Sequence, residues 1–211
     1  VFTWPYGKLN NLAELRMYSS WTRRVLVLPT MSESEKPLVR QESWLIKVAR
    51  TGLVAALYVV LTYLSSVFNL AFGPLQFRVS ESLTLLPLIW GETVFGLTVG
   101  TLLSNLGSPY GIIDWVFGTS ASFVALSAVR WIGKKGYSEW IAALAVSVVN
   151  ALAVPFIILI GAMGLSSSSI GGVFVSSIYW SYAATIFIEE FCVVAFLGIP
   201  LIRNITGRVL K

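Results

Sequence analysis

Between Arg50 and Arg78 the chain carries no charged side chain. A run of that length is long enough to cross a bilayer, because about 20 apolar residues in a helix cover about 30 Å of hydrocarbon. The segment Val48–Phe72 contains TGLVAALYVVLTYLSSVFNLAF and reads as a first transmembrane span. The rest of the chain repeats the pattern. Charged types make up only 12% of 211 residues, where soluble domains carry about 25%. The mean hydropathy is +0.78. These features define an all-α, polytopic membrane bundle and exclude an ordinary soluble domain.

About six spans are expected: Val48–Phe72, Ser80–Trp90, Thr93–Leu106, Asp114–Ile132, Glu139–Met163 and Val173–Ile202. The second is short and contains Pro87, so a bent or partly extended segment is expected there. The sixth is expected to bend near Gly198-Ile199-Pro200. Residues 1–47 read as a cytoplasmic or interfacial segment and residues 48–211 as the six-helix domain. The run Val25–Leu28 is too short for a signal-peptide core. Residues 1–50 hold eight Lys/Arg. With six spans they share a side with Lys134, Lys135, Arg203, Arg208 and Lys211. The loops on the other side, 73–79, 107–113 and 164–172, hold Arg78 alone. That asymmetry predicts cytoplasmic N- and C-termini in a multi-pass protein of the cell membrane. It also accounts for the basic balance without a nucleic-acid partner.

Ionisable groups near hydrocarbon are costly and mark either a site or a paired contact. Arg78 and Glu81 stand three apart at the outer start of the second span, where a helix puts both on one face. They read as a ligand pocket or as a self-paired interfacial ion pair. Asp114 opens the fourth span and suits a helix cap, which can also face a ligand. Glu92 reads as a solvated loop charge. Glu189 and Glu190 lie deep in the sixth span and point about 100° apart, so one is expected to face the bundle and the other a polar partner or the interface. Phe77, Tyr110 and Trp115 fall on the same outer side as Arg78, Glu81 and Asp114. Together they suggest a mixed aromatic and acidic pocket for a flat heterocycle that donates hydrogen bonds.

Gly52 and Ala56 form a small-xxx-small pair on the first span, and Gly96 and Gly100 form another on the third. The chain has no histidine and one cysteine, Cys192. The commonest general base, the commonest transition-metal ligand and an internal disulfide are thereby removed. GxxxxGK[ST] is absent, so no P-loop is expected. The chain reads as a non-enzyme without metal or cofactor.

The string Gln76-Phe77-Arg78-Val79-Ser80-Glu81-Ser82-Leu83-Thr84-Leu85-Leu86-Pro87 resembles the signature of the QueT-type family. So does Leu103-Ser104-Asn105-Leu106, followed by Gly111, Asp114 and Phe117-Gly118-Thr119. Members of that family are substrate-binding (S) subunits of energy-coupling factor (ECF) transporters for queuosine precursors. The resemblance covers about residues 48–203. It implies a six-helix subunit that captures a deazapurine or a related vitamin-like solute, together with a transmembrane coupling subunit and two ATP-binding subunits. It adds Ser80 and Asn105 to Arg78, Glu81 and Asp114 as site residues. Phe77 or Trp115 would stack on the ring, and Gly52 and Ala56 would meet the partner. A self-sufficient secondary transporter, proton-coupled through Glu189 or Glu190, is the competing reading.

Overall fold

The computed structural model describes residues 43–72, 76–163 and 177–209, and every regular element among them is helical. Helix α1 is Trp44–Val67. A 3₁₀ segment follows at Val79–Leu88, then α2 at Thr93–Asn105. A π turn at Asp114–Gly118 runs into α3 at Thr119–Lys135. Helix α4 is Glu139–Met163 and α5 is Ser177–Val193. A second π turn, Val194–Gly198, joins α5 to α6 at Ile199–Val209. The expected N-terminal segment up to residue 42, the turn residues Gly73-Pro74, the serine run 166–169 and the start of the sixth span lie outside the described residues.

Four stretches are long and apolar enough to cross a membrane: Trp44–Val67, Asp114–Lys135, Glu139–Gly161 and Ser177–Gly207. The chain is therefore a multi-pass membrane protein. Its outer surface supports this. Leu53, Leu57, Val60 and Leu64 form an exposed ridge on α1, and Leu144, Val148 and Leu152 form another on α4. Lipid tails are as apolar as leucine, so such ridges need no protein cover.

The two remaining segments are shorter than the expected spans. The 3₁₀ segment rises about 20 Å over its length at about 2 Å per residue, and α2 rises about 20 Å at 1.5 Å per residue. Neither alone matches about 30 Å of hydrocarbon. A 3₁₀ run beyond a few residues is uncommon. Here its backbone is supported locally. Ser82 Oγ donates to the Val79 carbonyl at 2.7 Å, Thr84 Oγ1 donates to the Glu81 carbonyl at 2.6 Å, and Pro87 has no N–H to satisfy. Every residue from Ser80 to Pro87 is buried. The segment is thus an inner element of the bundle, and Leu83, Leu85 and Leu86 join Tyr58, Leu97, Leu126, Val129 and Val146 in the core.

The small pair on α2 has a defined use. A Cβ on Gly96 would come within 2.5 Å of the Thr51 carbonyl oxygen, and one on Gly100 within 3.0 Å of the Ala55 carbonyl oxygen. These glycines let α2 press onto α1. Gly52 and Ala56 lie on an exposed face of α1, and a Cβ at Gly52 would meet nothing within 4 Å. Helix α3 ends at Gly136 with φ 72°, a left-handed cap whose N–H donates to Gly133 O.

Glu92 is not the solvated loop charge expected of it. Its carboxylate pairs with Arg50 at 2.7 Å, and the Arg50 guanidinium lies 4.2 Å from the Trp90 ring centre. Glu139 pairs with Arg203 at 2.5 Å.

Candidate functional site

Six elements converge on one polar cavity, which encloses about 440 Å³ of empty space counted out to its open mouth. The residues before and within the 3₁₀ segment supply Arg78 and Glu81, the end of α2 supplies Asn105, and the first π turn supplies Asp114. Asn150 enters from α4 and Glu190 from α5. Ala121, Val154 and Ile186 complete an apolar wall.

The 3₁₀ geometry explains the first pair. Side chains at i and i+3 eclipse in such a helix, so Glu81 stands over Thr84 and in line with Arg78 just before the first turn. Of the two readings open for Arg78 and Glu81, self-pairing is excluded. Arg78 Nε donates to the Ala71 carbonyl at 2.7 Å, and Nη1 donates to Asn105 Oδ1 at 3.4 Å. Its guanidinium also lies 4.9 Å from the Phe72 ring centre. Glu81 Oε1 instead accepts the Tyr58 hydroxyl at 2.5 Å. Both residues are more than nine-tenths buried.

Asp114 is not a helix cap. It lies inside the first turn and makes no side-chain cap bond. Its backbone carbonyl accepts Asn105 Nδ2 at 3.1 Å. Its carboxylate lies at the cavity wall, 5% exposed, with no hydrogen-bond donor among the described residues. Gly118, one π turn later, leaves the room it needs. A Cβ there would collide with Asp114 Oδ1 and come within 2.9 Å of Asn105 Nδ2. π turns of this sort are frequent at functional sites.

The two glutamates of α5 divide as their spacing predicts. Glu190 is buried at the cavity wall, where Oε1 accepts Asn150 Nδ2 at 2.8 Å. Glu189 points elsewhere, and its Oε2 accepts the Gln76 backbone N–H at 3.0 Å. Glu81 and Glu190 line the same cavity from different elements. At the neighbouring loop, burial chiefly pushes the Tyr110 phenol up, with Tyr182 and Asp114 adding to the effect.

Arg78, Glu81, Asn105 and Asp114 are thus brought together, whereas Phe77, Ser80 and Trp115 do not line the cavity. Ser80 is fully buried behind it and accepts the Thr62 hydroxyl at 2.8 Å. The Trp115 indole N–H is buried with no acceptor among the described residues. Asn150 and the choice of Glu190 over Glu189 escape sequence reasoning. The available signal for Asn150 was a lone amide in an otherwise apolar helix.

A lipid-facing helical bundle that encloses one charged, partly open cavity belongs to the class of membrane proteins that bind a small polar solute. The QueT transporter family matches residues 48–207, and the chain belongs to that family. It is also similar to the protein named queuosine precursor transporter QueT from Lactococcus lactis subsp. cremoris (strain MG1363). The two are 36% identical over 76 residues, which span 36% of this chain and 44% of that protein. The chain thus matches under half of that relative's length. No solved structure matches.

Proposed function

We propose that this chain is the membrane-embedded substrate-binding subunit of an ECF-type importer, and that its solute is a queuosine precursor of the 7-deazaguanine class. The observation that carries the reading is the convergence of Arg78, Glu81, Asn105 and Asp114 on one buried cavity in a chain whose outside is apolar. A guanine-like edge presents adjacent N–H donors, and a carboxylate accepts such a pair bidentately in charge-assisted bonds. Glu81, oriented by Tyr58, is the first acceptor and Asp114 the second. Arg78 and Asn105 serve the ring's acceptors. The name of the Lactococcus relative supports the same solute.

In this reading the chain crosses the membrane six times with both ends cytoplasmic, and residues 48–211 form the binding domain behind a cytoplasmic or interfacial segment 1–47. The 3₁₀ segment and α2 act as shortened crossings. The cavity then opens towards the side of loop 107–113, outside the cell. A transmembrane coupling subunit and two ATP-binding subunits supply the energy, and the exposed Gly52 and Ala56 face offers them a close contact.

Binding of a radiolabelled 7-deazaguanine to purified protein tests the site. Glu81→Gln removes the charge from the first acceptor, and an affinity loss on the order of tenfold to a hundredfold is expected. Undiminished affinity removes Glu81 from the site. A self-sufficient proton-coupled carrier remains a second reading, favoured by the buried Glu190. Co-purification separates the two, because only a subunit of an ATP-driven importer brings down ATPases.

A further inference from the structure

Arg130 is a half-buried cation that neither the cavity nor an ion pair accounts for. It stands on α3 five residues before the helix ends at Lys135, about 7.5 Å short of that end along the axis. An ionisable group so close to hydrocarbon is costly unless something polar meets it. A guanidinium carries five N–H donors. Among the described residues one acceptor serves them, the Pro87 carbonyl, which lies 3.5 Å from Nη1. The acids at this end of the bundle are already engaged: Glu92 pairs with Arg50, and Glu139 pairs with Arg203. Gly91 makes the room that Arg130 occupies. A Cβ there would collide with its Nε and Cζ, so the guanidinium lies against the backbone of the turn that precedes α2.

The surface around it has an order. Phe123, Arg130 and Lys134 follow one another along one face of α3, with Phe123 and Lys134 exposed. Beside them Val124, Trp131 and Lys135 form a second exposed stripe, and Lys135 Nζ lies 5.9 Å from the Trp131 ring centre. Each stripe thus runs from an apolar side chain to a cation at the helix end, and no carboxylate pairs with Arg130, Lys134 or Lys135 among the described residues. A phospholipid has the complementary order, acyl chain and then phosphate. We propose that Arg130, with Lys134 and Lys135, holds the phosphate of an anionic phospholipid whose chains lie along Phe123 and Val124. The planar guanidinium fork matches two phosphate oxygens, and the lysines add point charge. An acidic segment of a protein partner would meet the charges but would leave the apolar stripes without a counterpart. The site is separate from the cavity, which Arg130 does not line, so it stands whatever the solute is. With six spans the lipid belongs to the cytoplasmic leaflet, where anionic headgroups attract basic segments.

The experiment titrates the purified full chain in detergent with phosphatidylglycerol, with phosphatidylcholine of the same acyl chains, and with inorganic phosphate. Retained lipid is counted by native mass spectrometry, and thermal unfolding is followed on the same samples. Phosphatidylglycerol is expected to saturate at a concentration on the order of tenfold lower than phosphatidylcholine and to raise the melting temperature further. Inorganic phosphate should leave the melting temperature unchanged. Arg130→Gln should bring the two lipids within about threefold of each other. Arg130→Lys keeps the charge but loses the fork, and should still cost several-fold of the preference. If Arg130 merely capped the 3₁₀ segment through the Pro87 carbonyl, Arg130→Gln would lower the lipid-free melting temperature and leave the preference intact, which overturns the inference. Equal binding of the two lipids by the wild-type protein overturns it too, as does stabilisation by inorganic phosphate equal to that by phosphatidylglycerol, which would mark a site for a free anion. The wild-type comparisons decide the matter even where a variant fails to fold.

Discussion

Gly118 shows how a single residue without a side chain shapes the cavity. It stands where the π turn brings the backbone against Asp114 and Asn105, and a Cβ would occupy the space that the Asp114 carboxylate uses. In most helices replacing glycine by alanine stabilises by roughly 0.5–1 kcal/mol. Here the gain is offset by the displaced carboxylate, so stability and binding should part company. Gly118→Ala is expected to lower solute affinity on the order of tenfold while the melting temperature of the ligand-free protein moves little. Titration and thermal unfolding of the same preparation check this, and a parallel loss of both would assign Gly118 to packing alone. The same residue marks the reach of sequence reasoning. Charge in an apolar context made Arg78, Glu81 and Asp114 legible, because hydrocarbon penalises such groups wherever they lack a purpose. Neutral residues carry no such penalty signal. Asn150 looks like any tolerated amide until α4 and α5 are packed together and its Nδ2 is found 2.8 Å from Glu190.

At the level of elements, the long helices were legible from their apolar runs, and Glu139–Met163 has the limits expected of it. The inner 3₁₀ segment was not. Its sequence, VSESLTLLPL, is only ten residues long, and periodicity over so few residues cannot separate a 3.0-residue from a 3.6-residue turn. What fixes its form is tertiary: burial on all sides and close approach of neighbours. Gly198, in the second π turn, illustrates this, since a Cβ there would lie 3.0 Å from the Ser82 carbonyl oxygen. The seam between α1 and α2 obeys the same logic. A Cβ on Gly100 would lie 3.0 Å from both the Ala55 carbonyl oxygen and the Tyr58 Cβ, closer than ordinary van der Waals contact. Gly100→Leu should therefore push the helices apart and cost on the order of 1–3 kcal/mol. Because Tyr58 also orients Glu81, solute affinity should fall with stability. Thermal unfolding in detergent, read with and without solute, measures both. An unchanged melting temperature would mean that the two helices do not press together at this point.

For the molecule as a whole, the distribution of small residues separates internal from external contacts. Gly96 and Gly100 are consumed inside the bundle by α1, whereas Gly52 and Ala56 look outward from the same helix. An outward small-xxx-small face amid large exposed leucines and valines is a shallow groove in a lipid-facing surface, and helices approach closely only at such grooves. If a coupling subunit docks there, enlarging the two residues fills the groove without touching the cavity, whose lining comes from other elements. Gly52→Leu with Ala56→Leu is thus expected to abolish co-purification with the coupling and ATP-binding subunits and to stop uptake in cells. Solute binding by the isolated chain should stay within about twofold of wild type. Glu81→Gln should produce the opposite pattern, an assembled complex that binds its solute poorly. Retained assembly in the double variant would move the docking face away from α1. Uptake that persists without any ATPase partner would instead favour the self-sufficient carrier, and with it a transport role for the buried Glu190.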